Sequence, residues 1–281
     1  MRAAYADIGG IRTRYLYAGA GPAVFLLHGI GFSADCFIRN IDVLAKSFSV
    51  YAVDLLGHGF TDAPDYEGAV PQVAMARHIA ALADHLGLAA YSIVGSSFGA
   101  HVAAHVYLAN VSRVQKLVLV GSGSVFHSSE EQRKTLMGSL ANGKRAMVEA
   151  SFDSCRKRLE NIVFNPSCVP SELLWIQMTI YAGQDRVSSY EAAINGSVQA
   201  MDAPGARVLG QLETISCPSL VIVGRNDIRA DWRTHVDGAT RMPAAEVSIY
   251  EACGHFPFLE YPENFNIQVA RFLGESPVHS N

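Results

Sequence analysis

Five short apolar runs constrain this chain more than anything else in it: Ala23–Leu27 (AVFLL), Ser49–Val53, Tyr91–Val94, Lys116–Val120 (KLVLV) and Ser219–Val223 (SLVIV). Each is too short for a stable helix and lacks the alternation of a half-solvated strand, so each predicts a strand buried on both faces. Helical patterns separate them. Between Pro71 and Leu88 the apolar positions Val73, Ala76, Ile79, Ala80, Leu82, Ala83 and Leu86 recur at steps of three and four, opened by Pro71 and closed by Gly87. Phe98–Ala109, Asp231–Thr240 and Pro262–Leu273 predict further helices, while Ile11–Tyr17 and Glu246–Tyr250 predict further strands. Alternation of this kind implies an α/β protein with a mostly parallel, twisted sheet flanked by helices. Right-handed crossovers then gather the strand C-termini, and the loops that leave them, along one edge.

The alternation stops at Gly123 and resumes near Glu213. Between them lie a polar stretch (Ser128–Lys134), helical character from Leu136 to Leu159 and again from Ser171 to Tyr181, and turns at Asn165-Pro166 and Pro204-Gly205. This predicts a core domain of residues 1–123 and 213–281, with residues 124–212 as a helical lid inserted after the sixth strand. A chain of 281 residues accommodates both.

Composition removes several classes. With 49% hydrophobic and 17% charged residues the chain is globular rather than disordered. A net charge of −4 without any basic run gives nucleic acid nothing to bind. No apolar stretch approaches membrane-spanning length, and the charged start MRAAYADIGGIRTRY lacks the apolar core of a signal peptide. The five cysteines are scattered without a CxxC pair, which argues against a disulfide framework or a cysteine zinc site and for a cytoplasmic setting. No metal or cofactor is called for. A homodimer is a compatible assembly.

The chemistry centres on Gly95-Ser96-Ser97-Phe98-Gly99. An apolar strand runs into this segment and a helix runs out. So sharp a reversal strains the central residue and lifts the Ser97 hydroxyl above the sheet edge, at the N-terminus of the following helix. Ser96 has the same side chain but is off-centre between the two glycines. A serine hydroxyl needs a base within reach, and of ten histidines His255 has the right setting, a loop (EACGHFP) just beyond a strand. Asp227 ends Gly-Arg-Asn-Asp directly after SLVIV, so its carboxylate can hold the imidazole in one tautomer. Asp54, also at a strand end, belongs to turn chemistry in DLLGHGFT. Backbone N–H groups of Ile30 (or Gly31), after AVFLL, and of Phe98 are the expected donors to a developing oxyanion. His101 and His105 have the spacing of a metal pair, but Val102 stands where a metalloprotease helix needs glutamate, so they are taken as ordinary helix residues. Cys253 is taken as packing. Gly31, Phe32, Phe126, Trp175, Gln177, Met178, Tyr181 and Phe256 are the candidates for an apolar substrate pocket.

Five segments (LLHGIG, DLLGHGFTD, VGSSFGA, VGRNDIRAD and CGHFPFLEYPENFN) together resemble the successive signatures of the α/β-hydrolase superfamily, over nearly the whole chain. The order Ser97, Asp227, His255 and the 28-residue interval between the last two also suit it. Within the superfamily the chain most resembles meta-cleavage product hydrolases, which cleave carbon–carbon bonds in dienol-keto acids from aromatic degradation, and related bacterial esterases and lactonases. Two departures count against a direct transfer of the carbon–carbon activity. Ser96 stands where that family has Asn, and the segment SELLWIQ offers Gln177 where it has a lid arginine for the substrate carboxylate, with Arg186 and Arg207 as substitutes. The expected function is therefore hydrolysis of a small carboxylic ester or lactone through an acyl-enzyme, on an apolar or aromatic-derived substrate. Carbon–carbon hydrolysis of a meta-cleavage dienol-keto acid is the first alternative. A small-molecule receptor with slow or vestigial activity is the second.

Overall fold

The computed structural model describes residues 1–66 and 68–274. Eight strands form one sheet: β1 (Arg2–Ile8), β2 (Ile11–Ala18), β3 (Ala23–Leu27), β4 (Ser49–Val53), β5 (Tyr91–Ser96), β6 (Val114–Val120), β7 (Ser219–Gly224) and β8 (Ala245–Tyr250). Their order across the sheet is β1-β2-β4-β3-β5-β6-β7-β8. Pairings of β1 with β2 and of β2 with β4 are antiparallel; every later pairing is parallel.

Burial explains this layout. All five residues of β3 and all six of β7 are buried, as expected of strands covered on both faces. The β1–β2 ribbon alternates instead, with Ala6, Ile8 and Leu16 inward and Arg2, Asp7 and Arg12 outward, Arg14 being the one charged side chain it buries. β1, which the apolar-run pattern does not pick out, pairs through a two-residue turn at Gly9-Gly10, both with positive φ (62° and 85°). That backbone matches the twist of a hairpin and is one that glycine adopts at no steric cost.

Helices cover the sheet: α1 (Ile41–Leu44), α2 (Pro71–His85), α3 (Phe98–Ala109) and α4 (Gly123–Phe126) precede or follow the first six strands. Four longer helices lie between β6 and β7, namely α5 (Ser129–Glu149), α6 (Phe152–Glu160), α7 (Ser171–Tyr181) and α8 (Arg186–Gln199). The chain closes with α9 (Trp232–Ala239), α10 (Pro257–Glu260) and α11 (Pro262–Gly274). The polar stretch Ser128–Lys134 opens the long helix α5, with Ser128 as its cap. Ser128 accepts from the Glu131 amide while the Glu131 carboxylate accepts from the Ser128 amide, a capping box that starts α5 early. The single helix expected over Leu136–Leu159 is two, because Ala150 adopts a left-handed conformation (φ 44°) and Ser151 begins a second capping box.

The register makes the carboxyl ends level. Leu27 lies beside Val53 and Gly95, Ser96 beside Val120, Val120 beside Ile222, and Gly224 beside Tyr250. Loops carrying residues 28–33, 97, 121–123, 227 and 255 therefore leave along one rim. Among the described residues no helix is long and apolar enough to cross a membrane.

Candidate active site

Ser97 sits where β5 turns into α3, with φ 54° and ψ −118°. A non-glycine residue there is strained, and the strain is held by its surroundings. Its N–H donates to the Val120 carbonyl (2.7 Å), and its carbonyl accepts from the Ser122 hydroxyl (2.7 Å). The turn can be this tight only because a methyl group at Gly99 would collide with the Leu27 and His28 carbonyls, and one at Gly95 with the α3 backbone. Ser96 is fully buried and its hydroxyl has no partner among the described residues. Ser97, in contrast, faces a cavity.

His255 and Asp227 meet across two adjacent strand ends: Nδ1 lies 2.7 Å from Asp227 Oδ2, with both side chains buried. A carboxylate can only accept, so Nδ1 carries the proton and Nε2 is left free to take one. Asp227 Oδ1 accepts from the Arg229 and Ala230 amides (2.8 and 3.2 Å), which keeps the carboxylate facing the ring. The imidazole lines the same cavity as Ser97.

The loop after β3 is built to hold one shape. His28 is buried, its Nε2 accepts from the Leu55 amide (3.0 Å), and its Nδ1 therefore donates to the Gly29 carbonyl (2.8 Å). Burial keeps this ring neutral, with its pKa lowered to about 4. With the Gly29 carbonyl drawn to His28, the Ile30 N–H on the same peptide plane points the other way. Neither the Ile30 nor the Phe98 N–H has a hydrogen-bond acceptor among the described residues, and both residues line the cavity. Two such free donors can stabilise an oxyanion.

Beneath this loop is a buried ionic cluster. Arg14 of β2 grips Asp35 with both terminal nitrogens (2.7 and 2.9 Å) and reaches Asp54 at 3.1 Å. Asp54 also accepts from the Ala34 and Phe60 amides, so it ties the β3 and β4 loops together, the turn role expected of it. Burial opposes the Asp35 anion, yet Arg14 and Ser33 outweigh it and hold its pKa below the usual carboxylate value. Removing the cation strands two buried carboxylates, so Arg14→Leu is expected to cost about 3–5 kcal/mol. A urea titration would read this as a lower midpoint with an unchanged slope.

Four expected residues line the cavity with Ser97 and His255: Ile30, Phe32, Phe98 and Phe256. The others do not. Gly31 and Tyr181 face a second, smaller cavity, where the Tyr181 hydroxyl donates to the Gly31 carbonyl (2.8 Å). Phe126 packs on His235 (ring centroids 4.7 Å apart), and Trp175 is 56% exposed against Phe152. Gln177 is buried with neither amide atom partnered among the described residues, and Met178 packs against the core. All but Gly31 lie in helices, where periodicity alone does not say which neighbour an inward face meets. Of the substitutes for the family's arginine, Arg186 donates to the Gly59 and Thr61 carbonyls and Arg207 to that of His127; neither lines the cavity. His101 and His105 bond to one another (3.2 Å) inside the molecule.

Two arginines that the sequence did not single out do line it. Arg158 is buried (4% exposed) and stacks among Phe32, Tyr181 and Tyr190. Among the described residues its only hydrogen bonds are long ones to the Gly31 and Ile30 carbonyls (3.2 and 3.3 Å), and none of them gives it a carboxylate partner. Arg229, two residues past Asp227, donates to the Ser139 hydroxyl and likewise has no ion pair among them. Burial lowers the pKa of both guanidinium groups. In sequence Arg158 ends a run, Arg156-Lys157-Arg158, that looks like a solvated face; Arg156 and Lys157 do pair outward with Asp153. The helical rotation that turns only the third residue inward leaves no compositional trace. α5 adds Thr135, Leu136, Ser139 and Asn142 to the wall.

Comparisons with known proteins identify the family. Residues 22–262 match the family model described as alpha/beta hydrolase fold. A 2-hydroxy-6-oxononadienedioate/2-hydroxy-6-oxononatrienedioate hydrolase of Paraburkholderia xenovorans is 30% identical over 94% of this chain and 91% of its own length. A 2-hydroxymuconate semialdehyde hydrolase of a Pseudomonas species is 26% identical over 95% and 92%. Among solved structures, a meta-cleavage product hydrolase from Pseudomonas fluorescens superimposes with a TM-score of 0.79 at 25% identity, covering 96% of this chain and 97% of that one. The chain belongs to the α/β-hydrolase family.

Proposed function

We propose that this hydrolase cleaves a carbon–carbon bond in a dienol-keto acid of the meta-cleavage type, with residues 124–212 acting as a cap over the strand ends. The carrying observation is Arg158, a buried cation without a counterion among the described residues, beside the Ser97 cavity. A desolvated guanidinium is costly unless an anion meets it, and an ordinary neutral ester brings none. A substrate carboxylate does. The ester or lactone preference drawn from the sequence rested on two departures, Ser96 in place of Asn and Gln177 in place of a lid arginine; Arg158 answers the second from a different helix, while the first stands. Names of the relatives lean the same way.

In this reading Arg158 anchors the carboxylate and His255 supports ketonisation of the dienol. Ser97 then attacks the distal carbonyl while passing its proton to His255 Nε2, and the oxyanion rests on the Ile30 and Phe98 amides. Collapse breaks the carbon–carbon bond. The electron pair leaves as a dienolate that takes the proton back from His255, and water, activated by the same histidine, releases the acyl group from Ser97. Asp227 stabilises the imidazolium throughout.

Turnover of a 6-oxo-2-hydroxydienoate beside a p-nitrophenyl ester tests the proposal. The dienoate should be the better substrate, and Arg158→Leu should lower its kcat/KM by about 30-fold to 5 × 10³-fold, the range for losing one partner of a buried charge pair. Uncharged p-nitrophenyl acetate should lose far less. Good ester cleavage with no dienoate turnover would overturn the proposal.

A further inference from the structure

The His255 loop and the cap are clipped together by one carboxylate. Glu260, the last residue of α10, sits half-buried with each oxygen turned a different way. Oε1 accepts from the Gly254 amide (2.8 Å), next to the histidine, while Oε2 accepts from the Phe164 and Asn165 amides (2.8 and 3.2 Å) in the segment after α6. A fourth bond runs between the same two backbones, from the His255 N–H to the Ile162 carbonyl (2.8 Å). The approach is so close that a methyl group at Gly254 would lie 2.6 Å from the Phe164 nitrogen and 2.8 Å from the Ile162 oxygen. Ile162 itself lines the cavity beside His255. This one short stretch is therefore both a wall of the site and the seat of the base.

We infer that Glu260 is a positioning residue: by joining residues 162–165 to the backbone on the N-terminal side of His255, it makes the imidazole's place depend on the seating of the cap. Asp227 fixes the rotation of the ring through Nδ1, but nothing in that bond fixes the loop's height over Ser97. The Glu260 bonds do. Movement of residues 162–165 with the cap either breaks the amide-to-carboxylate bonds or carries His255 along, so productive proton transfer requires the cap seated. The inference rests on the reading of Ser97 and His255 as nucleophile and base.

The test compares wild type, Glu260→Gln and Glu260→Ala for steady-state turnover, for the rate of Ser97 labelling by a fluorophosphonate, and for backbone amide exchange. Glutamine keeps a single acceptor oxygen, so it retains either the arm to Gly254 or the arm to Phe164 and Asn165. Expected is a fall in kcat and in labelling rate of about 10²-fold for alanine, the scale of an ångström-sized misplacement. KM should stay nearly unchanged, glutamine should fall between, and faster exchange should be confined to residues 162–165 and 253–256. Unchanged kcat and labelling in folded Glu260→Gln, or losses that only track a lower melting temperature, would overturn the inference. Wild-type protein that fluorophosphonate fails to label would instead overturn the nucleophile assignment, leaving amide exchange to judge the clip alone.

Discussion

Ser97→Ala is expected to lower turnover on the order of 10⁶-fold, because a nucleophile and base that act as a unit lose nearly all their effect when either is removed. The same substitution should leave stability within about 1 kcal/mol of wild type. Both halves follow from the geometry. The backbone strain at φ 54° is held by main-chain contacts, Ser97 N–H to Val120 and Ser122 hydroxyl to the Ser97 carbonyl, which alanine keeps. The hydroxyl itself has no bond among the described residues whose loss would loosen the fold. Measured side by side, kcat on the dienoate and the urea midpoint separate the two. Retained turnover, or lost turnover with a collapsed midpoint, would contradict the assignment.

A second large effect is loss of stability in mild acid. His28 and His235 are fully buried, His58, His78 and His105 nearly so, and burial lowers their pKa values to about 4, or about 3 for His58. Each ring is used as a neutral group. His28 accepts from the Leu55 amide, His78 meets the Thr13 hydroxyl at 2.7 Å, and His235 donates to the Asp231 carbonyl while packing on Phe126. At pH 7 these groups are largely uncharged in both folded and unfolded chains. Below about 6.5 the unfolded chain binds protons that the fold refuses, so stability falls with pH until about 4. At pH 5.5 each contributes roughly 1 kcal/mol of destabilisation, on the order of 5 kcal/mol for the five. That is a large share of a typical domain's stability of about 5–15 kcal/mol. Urea midpoints at pH 7.5 and 5.5 should therefore differ widely, well above the range where carboxylates titrate. Equal midpoints would contradict this account of the histidines.

Much of the rim was legible in the sequence, for a definite reason. Strands buried on both faces read as unbroken apolar runs, and the residues just past each run must lie at the carboxyl edge; that rule brings Ser97 and Asp227 to one place, and His255 joins them from the end of β8, a partly exposed edge strand. The β1–β2 ribbon was less visible because it is half-solvated, although Gly9-Gly10 carried its turn signal. The cavity wall was the hardest part. Arg158, Ser139 and Asn142 come from helices whose charged and polar residues look alike whether they face water or a closed site. Only the packing of α5 and α6 against the β3 loop decides which of them turn inward. Trp175 shows the converse, a large aromatic residue that suggests a pocket in sequence and is mostly exposed in the fold.

The proposed chemistry stands on one arrangement: an anion held at Arg158 places its distal carbonyl between Ser97 and the two free amides. The most direct measurement is a crystal structure of the Ser97→Ala protein with a bound 2-hydroxy-6-oxodienoate. The expected result is the carboxylate on the Arg158 guanidinium, the ketone oxygen within hydrogen-bond reach of the Ile30 and Phe98 nitrogens, and His255 Nε2 facing position 97. A carboxylate bound elsewhere with Arg158 uncontacted, or an imidazole turned from position 97, would contradict it.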